Sequence, residues 1–174
     1  ALKMELEGHE FHFDSVPAWD TDGTDPDRDV LIADRDTGGW KPSNTRELMA
    51  VIATRNAATN KRFIHWVRMA KAAVANIAGE DIPGLHVETW AYHAVTGPLD
   101  DDVALAQILA TAAELVGGVY YDPTGVDRIS DRVGPKASRH QLALKSIAQQ
   151  AAEAVTIAKD GDHNEAIRIW HDIF

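Results

Sequence analysis

The spacing of hydrophobic residues changes along the chain, from the alternation of strands to the spacing of amphipathic helices. Residues 2–6 alternate apolar and charged side chains, which predicts a half-buried strand. After a turn at Gly8-His9, residues 10–16 alternate again, so the two segments are expected to form a β-hairpin that Pro17 interrupts. Polar, Gly-rich and Pro-rich residues follow, and one apolar run among them, Val30–Ala33, predicts a further strand.

From Asn44 onwards the pattern is helical. Asn44 and Glu47 have the spacing of a capping box, which predicts the start of a helix with a buried stripe of Leu48, Val51 and Ile52. Similar stripes, bounded by Gly, Pro and Asp, predict further helices at residues 60–78, 83–95, 100–117, 139–159 and 162–174. We therefore predict an α+β protein with its strands first and about six helices after them.

Particular side chains define the expected faces of the last two helices. Ser138 is expected to cap the helix over 139–159, with Leu142 and Ile147 in its apolar stripe. The stripe of the final helix is expected to contain Ile167 and Trp170. Three tryptophans, at 66, 90 and 170, occur at helical spacing with aliphatic residues, which is more typical of a core than of a surface that stacks on bases.

Composition narrows the expected partners. The net charge of −10 at pH 7 disfavours a broad nucleic-acid surface, which requires clustered Lys and Arg. The chain has no cysteine, which fits a reducing cytoplasm and excludes disulfides and thiolate metal sites. No apolar run approaches the roughly 18 residues that indicate a membrane span. We therefore expect a cytoplasmic protein without a membrane partner.

Candidate chemistry begins at Asp14, at the end of the second predicted strand. Strand side chains alternate between faces, so Phe11 and Phe13 share one face while His12 and Asp14 share the other. The aromatic side chains suit a core, and the carboxylate suits a cleft or solvent. From the residues alone, a solvated strand aspartate is the simpler interpretation of Asp14.

Six short segments together follow the pattern of one enzyme family. They are Phe13–Ala18, Gly39–Asn44, Val67–Lys71, Ile82–Glu88, Tyr121–Pro123 and Ala166–Phe174. In order and spacing they resemble a nucleotidyltransferase of the polymerase-β superfamily. The resemblance is closer to the lineage of oligoadenylate synthetase and cyclic GMP-AMP synthase, which includes bacterial anti-phage enzymes. In that family the first segment is a strand bearing the third catalytic carboxylate, and the second is a loop leading into the helical part.

The resemblance implies roles for four residues. Asp14 would be a catalytic residue and a ligand of Mg²⁺ (or Mn²⁺), because nucleotidyl transfer uses two divalent cations held by carboxylates. Lys71 would place its charge on the triphosphate of a bound nucleoside triphosphate, and Arg68 would assist or pair with an acid. Gly84 would contribute its backbone N–H to the phosphates, in the place where the family has a serine.

The resemblance also implies the domain organisation and the product. Residues 1–43 would be the last part of a nucleotidyltransferase palm, and residues 44–174 a helical C-terminal domain. The family's first two carboxylates follow a Gly-Ser turn, and this chain has no Gly-Ser dipeptide. We therefore expect an N-terminal half that is missing here, and a segment that is inactive alone. The whole enzyme would be template-independent and would make a cyclic or linear oligonucleotide second messenger for antiviral defence.

Other interpretations stay open. A transferase that adds CCA or tails RNA would need a basic RNA-binding region, which the sequence does not indicate. A helical binding or scaffold module without catalysis fits the serine-to-glycine difference at Gly84. At single positions, Lys71 is also readable as an exposed helix lysine and Glu88 as the surface partner of an arginine. The scattered histidines lack the spacing of a zinc site and are expected to be hydrogen-bonded or exposed.

Overall fold

Two antiparallel sheets precede six α-helices in the described part of the computed structural model, which covers residues 2–6, 9–13, 17–22, 29–33, 38–130 and 134–174. The protein is therefore α+β and mostly helical, as the hydrophobic pattern predicts. The chain divides into two units, Ala1–Glu47 and Leu48–Phe174. Whether the first unit belongs to a nucleotidyltransferase palm stays a prediction.

The first sheet is the predicted hairpin. Strand β1 (Leu2–Leu6) pairs with β2 (His9–Phe13) in antiparallel register, with Leu2 opposite Phe13 and Leu6 opposite His9. The alternating pattern thus predicts both strands and their pairing. The next three residues, which include Asp14, lie outside the described residues.

The second sheet has the order β3-β4-β5, formed by β3 (Ala18–Asp20), β4 (Val30–Ala33) and β5 (Trp40–Ser43). The strand predicted at Val30–Ala33 is confirmed and lies in the centre. The expectation of a loop at Gly39–Asn44 is wrong, since β5 pairs with β4 there. Among the described residues β5 pairs with β4 alone, so it is an edge strand of this sheet. Proline, which has no backbone N–H, is tolerated in edge strands, and this accounts for Pro42. Strand β3 was not predicted.

Helix α1 (Thr45–Ala58) begins directly after Asn44, as the capping pattern predicts. Its first turn is held by a more distant residue, because Asp29 Oδ2 accepts a hydrogen bond from the Arg46 backbone N–H at 2.5 Å. The predicted stripe of Leu48, Val51 and Ile52 lies on the least exposed face of α1, and Ile52 packs against the core, but these residues are only half-buried and no residue of α1 is fully buried.

The other end of α1 is fixed by Arg55. Its guanidinium donates to the backbone carbonyls of Tyr92 and Val95, and it lies 4.1 Å from the centre of the Tyr92 ring. A cation at the C-terminal carbonyls of a helix is favoured by the helix dipole. Arg55 therefore links α1 to the end of the third helix by charge, in addition to the apolar contact that Ile52 makes with the core.

The hydrophobic core lies between the remaining five helices. They are α2 (Phe63–Ala78), α3 (Gly84–Ala94), α4 (Asp101–Leu115), α5 (Gly134–Lys159) and α6 (His163–Ile173). Helix α4 packs against α3 and α5, α5 packs against α6, and α2 packs against α3, α4 and α5. The largest fully buried side chains are Trp66, Trp90, Phe63, Leu105, Ile108, Leu109, Ile129, Leu144 and Ile173. In the described part of the chain, none of the helices has the length and apolar character needed to cross a membrane.

Several predicted helix ends are confirmed. Gly79 follows α2 with a φ of +56°, a conformation that favours glycine. Pro83 immediately precedes α3, with a φ of −62°. Asp162 caps α6, because its Oδ1 accepts a hydrogen bond from the Glu165 N–H at 3.1 Å. The chemistry of Gly, Pro and Asp was therefore sufficient to place these boundaries.

Helix α5 and the face of α6 differ from the predictions. Helix α5 begins at Gly134, so Ser138 lies within it and does not precede it. Leu142 is 79% exposed, and Leu144 takes its expected place in the core. In α6, Ile167 is exposed and Ile169 is buried. Ile147 of the expected α5 stripe and Trp170 of the expected α6 stripe do face the core, so the errors are confined to single positions and both faces are otherwise as predicted.

Candidate functional site

Lys71 of α2 and Glu88 of α3 meet across the contact between these helices. Lys71 Nζ donates to Glu88 Oε1 at 2.5 Å. The two side chains are 38% and 31% exposed, so the pair is only partly shielded from water. The sequence identified both residues but expected an arginine as the partner of Glu88; the structure gives it Lys71 instead.

Gly84, the first residue of α3, lies directly beneath the Lys71 side chain. A Cβ added at position 84 would be 3.0 Å from Lys71 Nζ and 3.1 Å from its Cε. Lys71 and Gly84 share a concavity of about 320 Å³, whose other lining residues are Val74, Ala75, Gly79, Ile82, Pro83 and Val87. The structure thus brings together two predicted site residues, Lys71 and Gly84.

The electrostatics of this concavity have two opposing parts. The first N–H groups of a helix lack intrahelical acceptors and carry partial positive charge, and the first turn of α3 places such groups at Gly84. The Lys71 ammonium adds a full positive charge beside them. Glu88 supplies a carboxylate that neutralises this ammonium. The arrangement can hold an anion at the start of α3 if the anion competes with Glu88 for Lys71.

Arg68 lies one turn before Lys71 on α2 and is exposed. Residues three apart on a helix are neighbours on its surface, so both cations are on the same side of α2. Among the described residues, none forms a hydrogen bond or ion pair with Arg68. Its guanidinium is therefore available to a ligand that also reaches Lys71.

Asp14, the predicted metal ligand, lies outside the described residues. Its catalytic role therefore stays a prediction. Within the part of the chain that the structure describes, no group of three or more His, Asp or Glu residues is arranged to hold a metal ion.

A second charged cluster joins the start of α2 to α4. Arg62 donates to both carboxylate oxygens of Asp101, and the indole N–H of the buried Trp66 donates to Asp101 Oδ1 at 2.7 Å. These hydrogen bonds, first those from Arg62 and then the one from Trp66, lower the pKa of Asp101 below its ordinary value. Each carboxylate oxygen of Asp101 already has a donor from within the fold, so we regard this cluster as structural.

Two aromatic side chains surround the buried His86 of α3. His86 Nδ1 is 2.6 Å from Tyr120 Oη, and the ring centres of Trp90 and Tyr120 are 6.1 Å apart. Burial raises the pKa of Tyr120 to about 12. The prediction that the histidines are hydrogen-bonded or exposed is confirmed for His86, and for His93, which is exposed.

The Tyr121–Pro123 segment forms a loop that positions Tyr120. Asp122 is buried, and its Oδ1 accepts hydrogen bonds from Thr124 Oγ1 at 2.8 Å and from the Val126 and Asp127 N–H groups at 3.3 Å. A carboxylate that organises its own loop in this way has a structural role. The aspartate of this segment thus stabilises the fold, which the sequence alone did not reveal.

Comparison with known proteins gives no family for this chain. No family model matches it, and no curated protein matches it. The nucleotidyltransferase resemblance therefore stays a prediction. The structural support for a function comes from the geometry around Lys71.

Proposed function

We propose that this chain is part of a template-independent nucleotidyltransferase that binds a nucleoside triphosphate and transfers its nucleotidyl group to a hydroxyl. In this proposal the product is a cyclic or linear oligonucleotide that acts as a second messenger, and the cofactor is Mg²⁺ (or Mn²⁺). The substrate class follows from the six-segment resemblance. The site for the triphosphate follows from Lys71.

One observation carries the proposal: the Lys71 ammonium lies over the first turn of α3, within a concavity and beside Gly84. A triphosphate is polyanionic, and both a lysine side chain and a helix N-terminus favour phosphate oxygens. The concavity of about 320 Å³ lies within the usual size range for small-molecule sites, near its lower end. These features support a triphosphate site more specifically than an exposed lysine elsewhere on the surface would.

Each of the predicted site residues would have a separate role in binding the triphosphate. Lys71 would contact the phosphate groups, and Arg68 would reach the same polyanion from one turn away. The first N–H groups of α3, beginning at Gly84, would donate hydrogen bonds to a phosphate oxygen. Asp14 would hold the divalent cation, which in such enzymes neutralises the phosphates and activates the attacking hydroxyl.

Nucleotide binding tests the site without requiring turnover. Titration calorimetry of the chain with ATP or GTP and Mg²⁺ should show binding, and Lys71→Ala should weaken it by about 10- to 100-fold, the usual loss for a charged hydrogen bond. Arg68→Ala should weaken it less, because Arg68 is more exposed. Lys159→Ala, at the exposed end of α5, is the matched control and should leave the affinity unchanged.

Turnover tests the reaction itself. The full-length protein with ATP, GTP and Mg²⁺ should release pyrophosphate, and Asp14→Ala should abolish the release while Asp160→Ala preserves it. Mass spectrometry of the product would then separate messenger synthesis from RNA tailing. If no triphosphate binds and Asp14→Ala changes no activity, the helical scaffold interpretation replaces the enzyme.

A further inference from the structure

The path of the Lys71 side chain depends on the absence of a side chain at position 84. Lys71 extends across the first turn of α3 to reach Glu88, one turn further along the same helix. A Cβ at position 84 would approach Lys71 Nζ and Cε to 3.0 and 3.1 Å, closer than such atoms normally pack. Because Lys71 is flexible and the α3 backbone is not, the lysine would move if position 84 had a side chain.

We propose that Gly84 and Glu88 are positioning residues that hold Lys71 over the start of α3 until an incoming phosphate displaces the Glu88 carboxylate. Gly84 provides the space that Lys71 crosses, and Glu88 provides the charge that holds it there. This proposal rests on the function proposed above, since it concerns regulation of the same site. Neither residue touches the reacting atoms in this scheme.

The geometry favours a holding contact over a permanent structural bridge. The Lys71–Glu88 pair is about a third exposed at both ends, and a pair of this kind is weak enough to be exchanged for another anion. The Arg62–Asp101 pair, which joins the start of α2 to α4, is different, because Trp66 also donates to Asp101 and two guanidinium nitrogens are engaged. Lys71 has a single partner atom in Glu88 and an open concavity beside it.

The chemical consequence is a site whose positive charge is masked when it is empty. Without ligand, Glu88 neutralises Lys71, so weakly charged anions gain little by entering. A triphosphate carries several negative charges and also contacts the first N–H groups of α3, so it can replace Glu88 where a single-charge anion cannot. Glu88 thereby contributes selectivity for polyphosphates.

The first experiment measures the position of Lys71 without nucleotide. The folded chain is treated briefly with an acetylating reagent, and mass spectrometry gives the rate at Lys71, since an ammonium must leave its carboxylate before its nitrogen is acylated. Glu88→Gln and Gly84→Ala should each raise this rate by about two- to fivefold, the effect expected of a partly exposed ion pair. The double variant should show no further increase, because both changes release the same contact.

Matched controls separate this effect from general changes in the protein. Glu114→Gln alters an exposed glutamate of α4, and Gly97→Ala adds a Cβ that meets no atom within 4 Å. Both should leave the Lys71 rate unchanged. Gly84→Ala should not unfold the protein, because alanine is the better helix former and this glycine does not have a positive φ.

The second experiment measures competition with calorimetry, using inorganic tripolyphosphate, ATP and inorganic phosphate as probes. Glu88→Gln should raise the affinity for both anions, and it should raise the affinity for inorganic phosphate more than the affinity for tripolyphosphate. The ratio of the two affinities, which favours tripolyphosphate in the wild type, should therefore become smaller. In the wild type, saturation with ATP should slow acetylation of Lys71.

The outcomes distinguish the two proposals. Unchanged Lys71 acetylation in both Glu88→Gln and Gly84→Ala overturns the positioning role, whatever ATP does. Faster acetylation in both variants, without binding of ATP or tripolyphosphate to any of them, supports the positioning role and overturns the proposed function. If Glu88→Gln acetylates faster but binds ATP more weakly, the proposed competition between Glu88 and phosphate for Lys71 is overturned. Glu88 would then orient Lys71 for the ligand.

Discussion

Tryptophan packs in opposite ways in the two units of the chain. In the helical unit Trp66 and Trp90 are fully buried, whereas in the sheet unit Trp19 and Trp40 are 67% and 53% exposed. The register of the second sheet places Trp19 of β3 and Pro42 of β5 opposite the same residue of β4, Leu31. The sheet thus has an apolar, aromatic face that the described residues leave open to solvent.

This difference shows which unit contains the core that stabilises the fold. Val30 is the single buried hydrophobic residue among the described side chains of residues 17–47. The helical unit instead buries aromatic and aliphatic side chains from five helices and the loop before α5. Because burial of apolar surface is the main favourable term in folding, substitutions in the helical unit should dominate stability.

Matched tryptophan substitutions give the largest expected contrast. Trp90→Ala should reduce the free energy of unfolding by about 3–5 kcal/mol, because it removes a fully buried aromatic ring and leaves a cavity. Trp40→Ala should change it by less than about 0.5 kcal/mol, as is usual for an exposed position. Urea unfolding followed by circular dichroism at 222 nm measures both. An equal loss in the two variants would mean that the sheet has a core of its own.

The parts of the fold that the sequence predicts are those encoded by local chemistry. Val30–Ala33 is a short apolar run between polar segments and forms a strand, and the alternation in residues 2–6 forms the first strand of a hairpin. Pro83 and Asp162 mark the starts of two helices because their backbone and side-chain preferences act within a few residues. Such signals do not depend on what packs against the segment.

The errors occur where tertiary packing decides. In helix α5, Leu144 is three residues before the buried Ile147 and shares its face, whereas Leu142 lies off that stripe, so assigning Leu142 to the core was an error of register within a correctly predicted helix. Strand β3 is too short to show a period, and β5 contains Pro42, which is acceptable because of its edge position. The pairing with Val30–Ala33, and not their own composition, makes these two segments strands.

The loss of an ion pair should also destabilise the helical unit more than the sheet unit, although by less than the tryptophan substitutions. Asp101→Ala should cost about 1–3 kcal/mol, because it leaves the indole N–H of the buried Trp66 without its acceptor. In the sheet unit, Asp20→Ala removes the partner of Arg46, but both side chains are exposed and no measurable loss is expected. Thermal unfolding of the two variants checks this. A larger loss for Asp20→Ala than for Asp101→Ala would contradict it.

The candidate site follows the same division between local and tertiary information. Arg68, Lys71 and Gly84 were selected through the family resemblance of their segments, which local sequence alone does not provide. The contact of Lys71 with Glu88 joins residues 17 positions apart and depends on how α2 packs on α3. The steric reason for Gly84 also appears only when the Lys71 side chain is placed above it. Asp14 remains a prediction from resemblance.

Helix capping provides a smaller test that stays within the helical unit. Asp162→Ala should reduce the free energy of unfolding by about 1 kcal/mol, because the Glu165 N–H loses its acceptor at the start of α6. Asp160→Ala is the control, since this neighbouring aspartate is exposed and lies before the cap. Chemical denaturation of both variants should separate them, and equal stability would show that water replaces the cap without cost.

The smallest expected effect is a pH dependence that comes from Asp101. Arg62 and Trp66 lower its pKa in the folded protein below the ordinary value of 3.8, so the folded state favours the ionised form. The resulting stabilisation is present above pH 3.8 and is lost as the pH falls through the lowered folded-state pKa. Asp101→Asn cannot ionise, so the stability difference between wild type and this variant should shrink as the pH is lowered towards and below that range.

Denaturation of wild type, Asp101→Asn and Asp160→Asn from neutral to acid pH measures that difference. The other carboxylates titrate equally in all three proteins, so their contribution cancels in the comparison. The difference for Asp160→Asn should stay small throughout. A difference for Asp101→Asn that persists undiminished at acid pH would show that this side chain stabilises α2 and α4 by its shape and hydrogen bonds, and that its charge contributes nothing.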